Sequence, residues 1–139
     1  MAFSNIDLTT EDGARSAAEI GGLACFIAAA LSILGAVLIA GVLGGTAAPA
    51  AWTFAIGAGI EAVLFAIAGF RLRAGRGLVW GSVAAAVITL ELIGKMLAFS
   101  VIGIAINIPL LLAMLGGVRG AWALRRGKFD DGEAAAIFE

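Results

Sequence analysis

Five polar residues stand inside stretches that are otherwise apolar, and any chemistry this chain performs has to start with them: Ser32, Glu61, Glu91, Lys95 and Asn107. An ionised carboxylate at the depth of Glu61, mid-way along an apolar run, costs several kcal/mol unless it is protonated, paired or hydrated. Glu91 and Lys95 are four residues apart. On a helix that spacing puts them on one face, where they can form an ion pair that lowers the cost of burying both. Glu61, Glu91 and Lys95 together leave one carboxylate without a basic partner, which calls for a bound proton, a bound cation or a hydrated cavity. Ser32 and Asn107, at comparable depth, can complete its hydrogen bonds.

Three uses of such a cluster are open. It can be interhelical glue that fixes packing register, a site for a proton, a cation or a small polar substrate, or a pair of carboxylates doing acid and base chemistry on a lipid or isoprenoid. No nucleophile or cofactor motif accompanies the last. Histidine and tyrosine are absent and the single cysteine, Cys25, lies in an apolar run, reading as a small buried hydrophobe. That composition excludes an intrachain disulfide, histidine-ligated haem and most zinc sites, so the sequence calls for no metal and no cofactor.

The elements that must hold these residues are long and apolar. The chain has 139 residues, 62% of them hydrophobic and 14% charged, against about 25% charged in a soluble domain; its mean hydropathy is +1.07. A hydrocarbon core about 30 Å thick takes about 20 apolar residues per crossing. The expectation is an all-α membrane protein, a four-transmembrane-helix bundle with no room for a soluble domain. Spans are predicted over residues 16–43, 52–70, 78–98 and 102–124 within a transmembrane domain 16–126, flanked by a polar segment 1–15 and an acidic tail 127–139. The opening MAFSNIDLTTEDGAR is unlike the basic start of a signal peptide, and neither end carries a lipidation motif. Thr9, Thr10 and Asp12 are candidate caps for the first span, and Glu19 is assigned to the headgroup layer.

The linker GGTAAPA, with Pro49, separates spans one and two, and RLRAGRG separates two and three. The third connection has two readings. One turns at Ser100 to Gly103 and puts Pro109 inside the fourth helix; the other makes Asn107 an N-cap and leaves SVIGIAI as an apolar connector. The first is preferred, because exposed non-helical backbone is costly in lipid.

Arg15, Arg71, Arg73, Arg76, Arg119, Arg125, Arg126 and Lys128 all fall on one side of this layout, and only Lys95 lies within a span. The positive-inside rule makes that side cytoplasmic, with both termini there, in an inner (plasma) membrane. Trp52, Trp80 and Trp122 fall at span ends, as interfacial belts require. Ile56-Gly57-x-x-Ile60-Glu61-x-x-Leu64 can be laid on Ile102-Gly103-x-x-Ile106-Asn107-x-x-Leu110, and Leu31-x-Ile33-Leu34-Gly35-x-x-Leu38 on Leu90-x-Leu92-Ile93-Gly94-x-x-Leu97. That alignment suggests two repeated helical hairpins, pairing Glu61 with Asn107 and Ser32 with Glu91.

Ala24, Ala28, Ser32, Ala36, Ala40 and Gly44 recur every four residues, a helix-packing stripe of small side chains that serves either the bundle's interior or a homo-oligomer contact. The expected partners are the lipid bilayer and a second copy or a larger membrane complex. Nothing supports nucleic-acid binding. The leading functional expectation is an oligomeric proton- or cation-linked transporter or channel-like protein using the Glu/Glu/Lys cluster. Its rivals are a non-catalytic accessory or scaffold subunit and an intramembrane lipid-modifying enzyme.

Overall fold

A computed structural model describes residues 7–43 and 48–127. Four helices, α1 (Glu11–Leu43), α2 (Ala48–Arg73), α3 (Leu78–Leu97) and α4 (Val101–Arg126), make up an all-helical bundle. Each is long and apolar enough to cross a membrane. α1 packs against both α2 and α4, α3 closes the ring between them, and α1 and α3 lie across the diagonal.

Local chemistry sets the helix ends. Thr10 caps α1: its hydroxyl accepts from the Gly13 N–H at 3.1 Å, and its carbonyl accepts from Ala14. Upstream, the Asp7 carboxylate accepts from the Thr9 N–H and hydroxyl, which holds its pKa below the ordinary value. At 33 residues α1 is about 50 Å long, more than a bilayer core requires. Its first turns, with Glu11 bridging Arg15 at 3.5 Å, therefore extend past the apolar layer. α2 starts at Ala48, so Pro49 belongs to its first turn and not to the linker; the missing N–H costs nothing there. Gly44, the last residue of the predicted stripe, and the tail from Lys128 onward lie outside the described residues.

α2 ends in a Schellman turn with Gly75 at φ 71°: Arg76 N–H donates to the Arg71 carbonyl and Gly75 N–H to that of Leu72. α3 ends in the same way. Ser100 N–H donates to Lys95 and Phe99 N–H to Met96, with Phe99 in the left-handed region at φ 52°. α4 begins at Val101 and runs unbroken through Pro109, so the turn is Ala98–Ser100, and Gly103 is helical. Pro109 deprives the Ala105 carbonyl of its helical partner.

The two halves of the bundle pack differently. Apart from Ala51, the buried apolar residues lie on Ala14–Ala29 of α1, Ala58–Leu72 of α2, Ala84–Ile88 of α3 and Leu110–Ala121 of α4, all in the half that carries the arginines. Helices touch there through glycine. A Cβ on Gly21 would lie 2.5 Å from the Gly117 Cα, one on Gly120 2.5 Å from the Ala14 carbonyl oxygen, and one on Gly22 2.8 Å from that of Gly69. Phe26 and Phe70 meet edge to face beside the last contact, with centroids 4.9 Å apart. Ala24 and Ala28 of the predicted stripe are buried in this half, whereas Ser32, Ala36 and Ala40 are only half-buried.

Candidate functional site

The polar residues sit where the tight half ends. α1 is buried up to Ala29 and presents Ser32 one turn on; α2 presents Glu61 between Ala58 and Ala62; α3 presents Glu91 one turn beyond Ile88; and α4 starts its buried face at Asn107. All four helices thus deliver one polar group to the same level, with Lys95 a turn further along α3.

The groups form a hydrogen-bonded triangle and, beside it, a hydrogen-bonded pair. Lys95 Nζ donates to Glu91 Oε2 at 3.2 Å and to Asn107 Oδ1 at 3.0 Å, and Asn107 Nδ2 donates to the same Glu91 oxygen at 3.3 Å. The triangle ties α3 to α4. Asn107, 3% exposed, spends both ends of its amide inside it. Glu61 belongs to the other hairpin, where its Oε2 accepts from the Ser32 hydroxyl at 3.2 Å. The two carboxyl groups line one cleft from neighbouring helices. Glu91 therefore has an ammonium and an amide, whereas Glu61 has a single hydroxyl donor. No buried side-chain nitrogen or oxygen among the described residues lacks a hydrogen-bond partner.

Away from the tight half, the network borders an open cleft of about 570 Å³ between α1, α2 and α3. Glu61, Glu91, Lys95 and Ser32 form its polar floor, and Leu31, Phe54 and Ala98 are among its apolar walls. Glycine makes the space. Gly35, Gly57 and Gly94 line the cleft, and a Cβ built on any of them would meet nothing within 4 Å. A smaller cavity of about 140 Å³, reached by Ser32, Glu91, Lys95 and Asn107, lies on the side of α4.

The structure thus brings together all five residues singled out from their types and spacing. It adds Gly103, over which the Lys95 stem lies: a Cβ there would come 2.8 Å from the Lys95 Cδ. Its offset of four from Asn107 was the available signal. The packing glycines Gly21, Gly22, Gly69, Gly117 and Gly120 also escape a search for a single four-residue stripe, because each helix contacts two neighbours along different faces. Cys25 is fully buried, distant from any role in the cleft. Among the described residues, no three histidine, cysteine, aspartate or glutamate side chains converge as metal ligands would.

Comparison of the chain with family models, curated proteins and solved structures gave no match.

Proposed function

We propose that this membrane protein is a small oligomeric transporter or channel-like protein in which Glu61 exchanges a proton or cation while Glu91, Lys95 and Asn107 set the local field. The observation that carries this reading is the placement of the network on the floor of an open cleft, with one carboxylate more than it has cations. Glue that only fixes register would be as effective sealed in the core. At this site Glu91 is committed to Lys95 and Asn107, so the exchangeable charge falls to Glu61. The glycine contacts close α1 against its two neighbours in the tight half, so a path across the membrane would run along an interface between subunits. Hence the oligomer.

On this reading both termini face the cytoplasm, with Arg15, Arg71, Arg73, Arg76, Arg119, Arg125 and Arg126 on that side and the cleft open to the other. The duplicated-hairpin reading would make Ser32–Glu61 and Glu91–Asn107 equivalent pairs, and each pair is hydrogen-bonded.

Two experiments test the proposal. In liposomes, proton or cation flux across a pH series is expected to be lost in Glu61→Gln while its melting temperature stays near the parent's, because the amide keeps the Ser32 hydrogen bond but cannot titrate. A parent without flux, or a variant that conducts as the parent does, would leave the accessory-subunit reading in its place. For orientation, an impermeant external thiol reagent is expected to label Ser100→Cys and spare Ala74→Cys; the reverse pattern inverts the topology.

A further inference from the structure

A further cavity lies at the opposite end from the polar cleft and makes no use of its residues. It occupies about 300 Å³ between the α2–α3 turn and the end of α4, lined by Gly75, Arg76, Leu78, Val79, Ala121 and Arg125. Among the described residues, its lining holds two guanidinium groups and no carboxylate.

The turn that presents Arg76 is tightly held. Gly75 takes the left-handed conformation that closes α2, and a Cβ on Gly77 would lie 2.5 Å from the Leu72 nitrogen, so the chain doubles back directly onto α2. The same turn rests on α4: a Cβ on Gly75 would lie 3.2 Å from the Leu124 Cδ1. This packing brings Arg76 and Arg125 to one cavity from opposite ends of the sequence. Arg126, the next residue, points elsewhere, stacked over Trp122 at 4.5 Å. α3 begins at the cavity's edge with no side-chain cap on its N-terminus, so its first N–H groups add to the positive field.

Depth and lining decide what fits. The arginines stand where the apolar spans end, four residues from Trp80 and three from Trp122, the pattern expected of a headgroup layer. One residue into α3 the wall is apolar, with Val79 66% exposed on the face turned to lipid and Ala121 closing the back. A free anion would leave that apolar wall unused, and an acidic peptide would have to enter hydrocarbon. A ligand with a phosphate at one end and a hydrocarbon chain at the other uses both. The planar forks of two arginines match phosphate oxygens, and two positive charges with no carboxylate among the described lining residues disfavour a headgroup carrying its own cation.

We propose that this cavity binds an anionic phospholipid, its phosphodiester held by Arg76 and Arg125 and its acyl chain running along Leu78 and Val79. The lipid then clips the α2–α3 turn to the end of α4, joining the first hairpin to the last helix. This proposal is independent of the transport reading, since no cleft residue takes part.

The test is the thermal stability of the full chain in a neutral detergent at fixed ionic strength, with phosphatidylglycerol, phosphatidylcholine or inorganic phosphate added. Phosphatidylglycerol is expected to raise the melting temperature by about 3 °C or more over phosphatidylcholine, and inorganic phosphate to leave it unchanged. Arg76→Gln with Arg125→Gln is expected to abolish the difference, whereas Arg71→Gln with Arg119→Gln, which removes equal charge from the same end, keeps it. If the first double variant does not fold, each single arginine variant is expected to lose at least half of the shift. Equal responses to the two lipids, equal loss in both double variants, full retention in the single variants, or a shift given by inorganic phosphate alone would each overturn the proposal.

Discussion

Gly21 and Gly117 meet so closely that neither position has room for a methyl group, while a methyl group on Gly35, Gly57 or Gly94, in the other half of the same bundle, would meet nothing within 4 Å. One residue type thus serves opposite ends. In the arginine-bearing half it lets backbones approach and seals the bundle. In the far half it withholds side chains and opens a cleft above the charged network. Without a hydrophobic force between helices in lipid, association depends on close packing, so the tight half holds the fold together and leaves the far half free to carry polar groups.

The sharpest way to break this contrast uses two adjacent residues. Gly117→Ala drives a methyl into the Gly21 backbone and is expected to destabilise the bundle by about 1–3 kcal/mol. Gly116→Ala, with nothing within 4 Å, is expected to be neutral or to stabilise by up to about 1 kcal/mol through helix propensity. Gly35→Ala in the cleft wall should behave like Gly116→Ala. Thermal melts of the three variants decide the matter: similar losses at Gly35 and Gly117 would mean the halves are not packed differently.

An effect of the same order is expected from Lys95→Met. It removes the ammonium that Glu91 and Asn107 share, leaving Glu91 with the Asn107 amide alone, and should cost about 1–3 kcal/mol. The loss should ease at low pH, where a protonated Glu91 no longer needs a cation. Melting curves that match the parent's at neutral pH would show that the triangle does not join α3 to α4.

Much of this was legible in the sequence, for identifiable reasons. The helices follow from apolar runs of spanning length, and the α2–α3 turn from the glycines and arginines of RLRAGRG. The Glu91–Lys95 pair follows from helical spacing alone. The α3–α4 turn was harder, because its left-handed position is filled by Phe99 and not by the glycine or asparagine that usually marks such an end. Its placement rested on the cost of unpaired backbone in lipid, which correctly put Pro109 inside α4. The small-residue stripe on α1 was visible as a pattern, but it could not show that its far part faces a cleft. That depends on which residues α2 and α3 present opposite, and their glycines have the same letter whether they touch or stand apart.

Exchange at Glu61 requires the network to face water through the cleft, and cysteine accessibility along α2 tests this most directly. Gly57 and Ala68 lie on the same helical face as Glu61, the first lining the cleft and the second fully buried in the tight half. In a Cys25→Ala background reconstituted in lipid, a small hydrophilic thiol reagent is expected to modify Gly57→Cys and to leave Ala68→Cys untouched. Protonating or substituting Glu61 should change the rate at position 57 only. An unreactive Gly57→Cys, in a protein that melts as the parent does, would place the network in a dry environment and contradict the account.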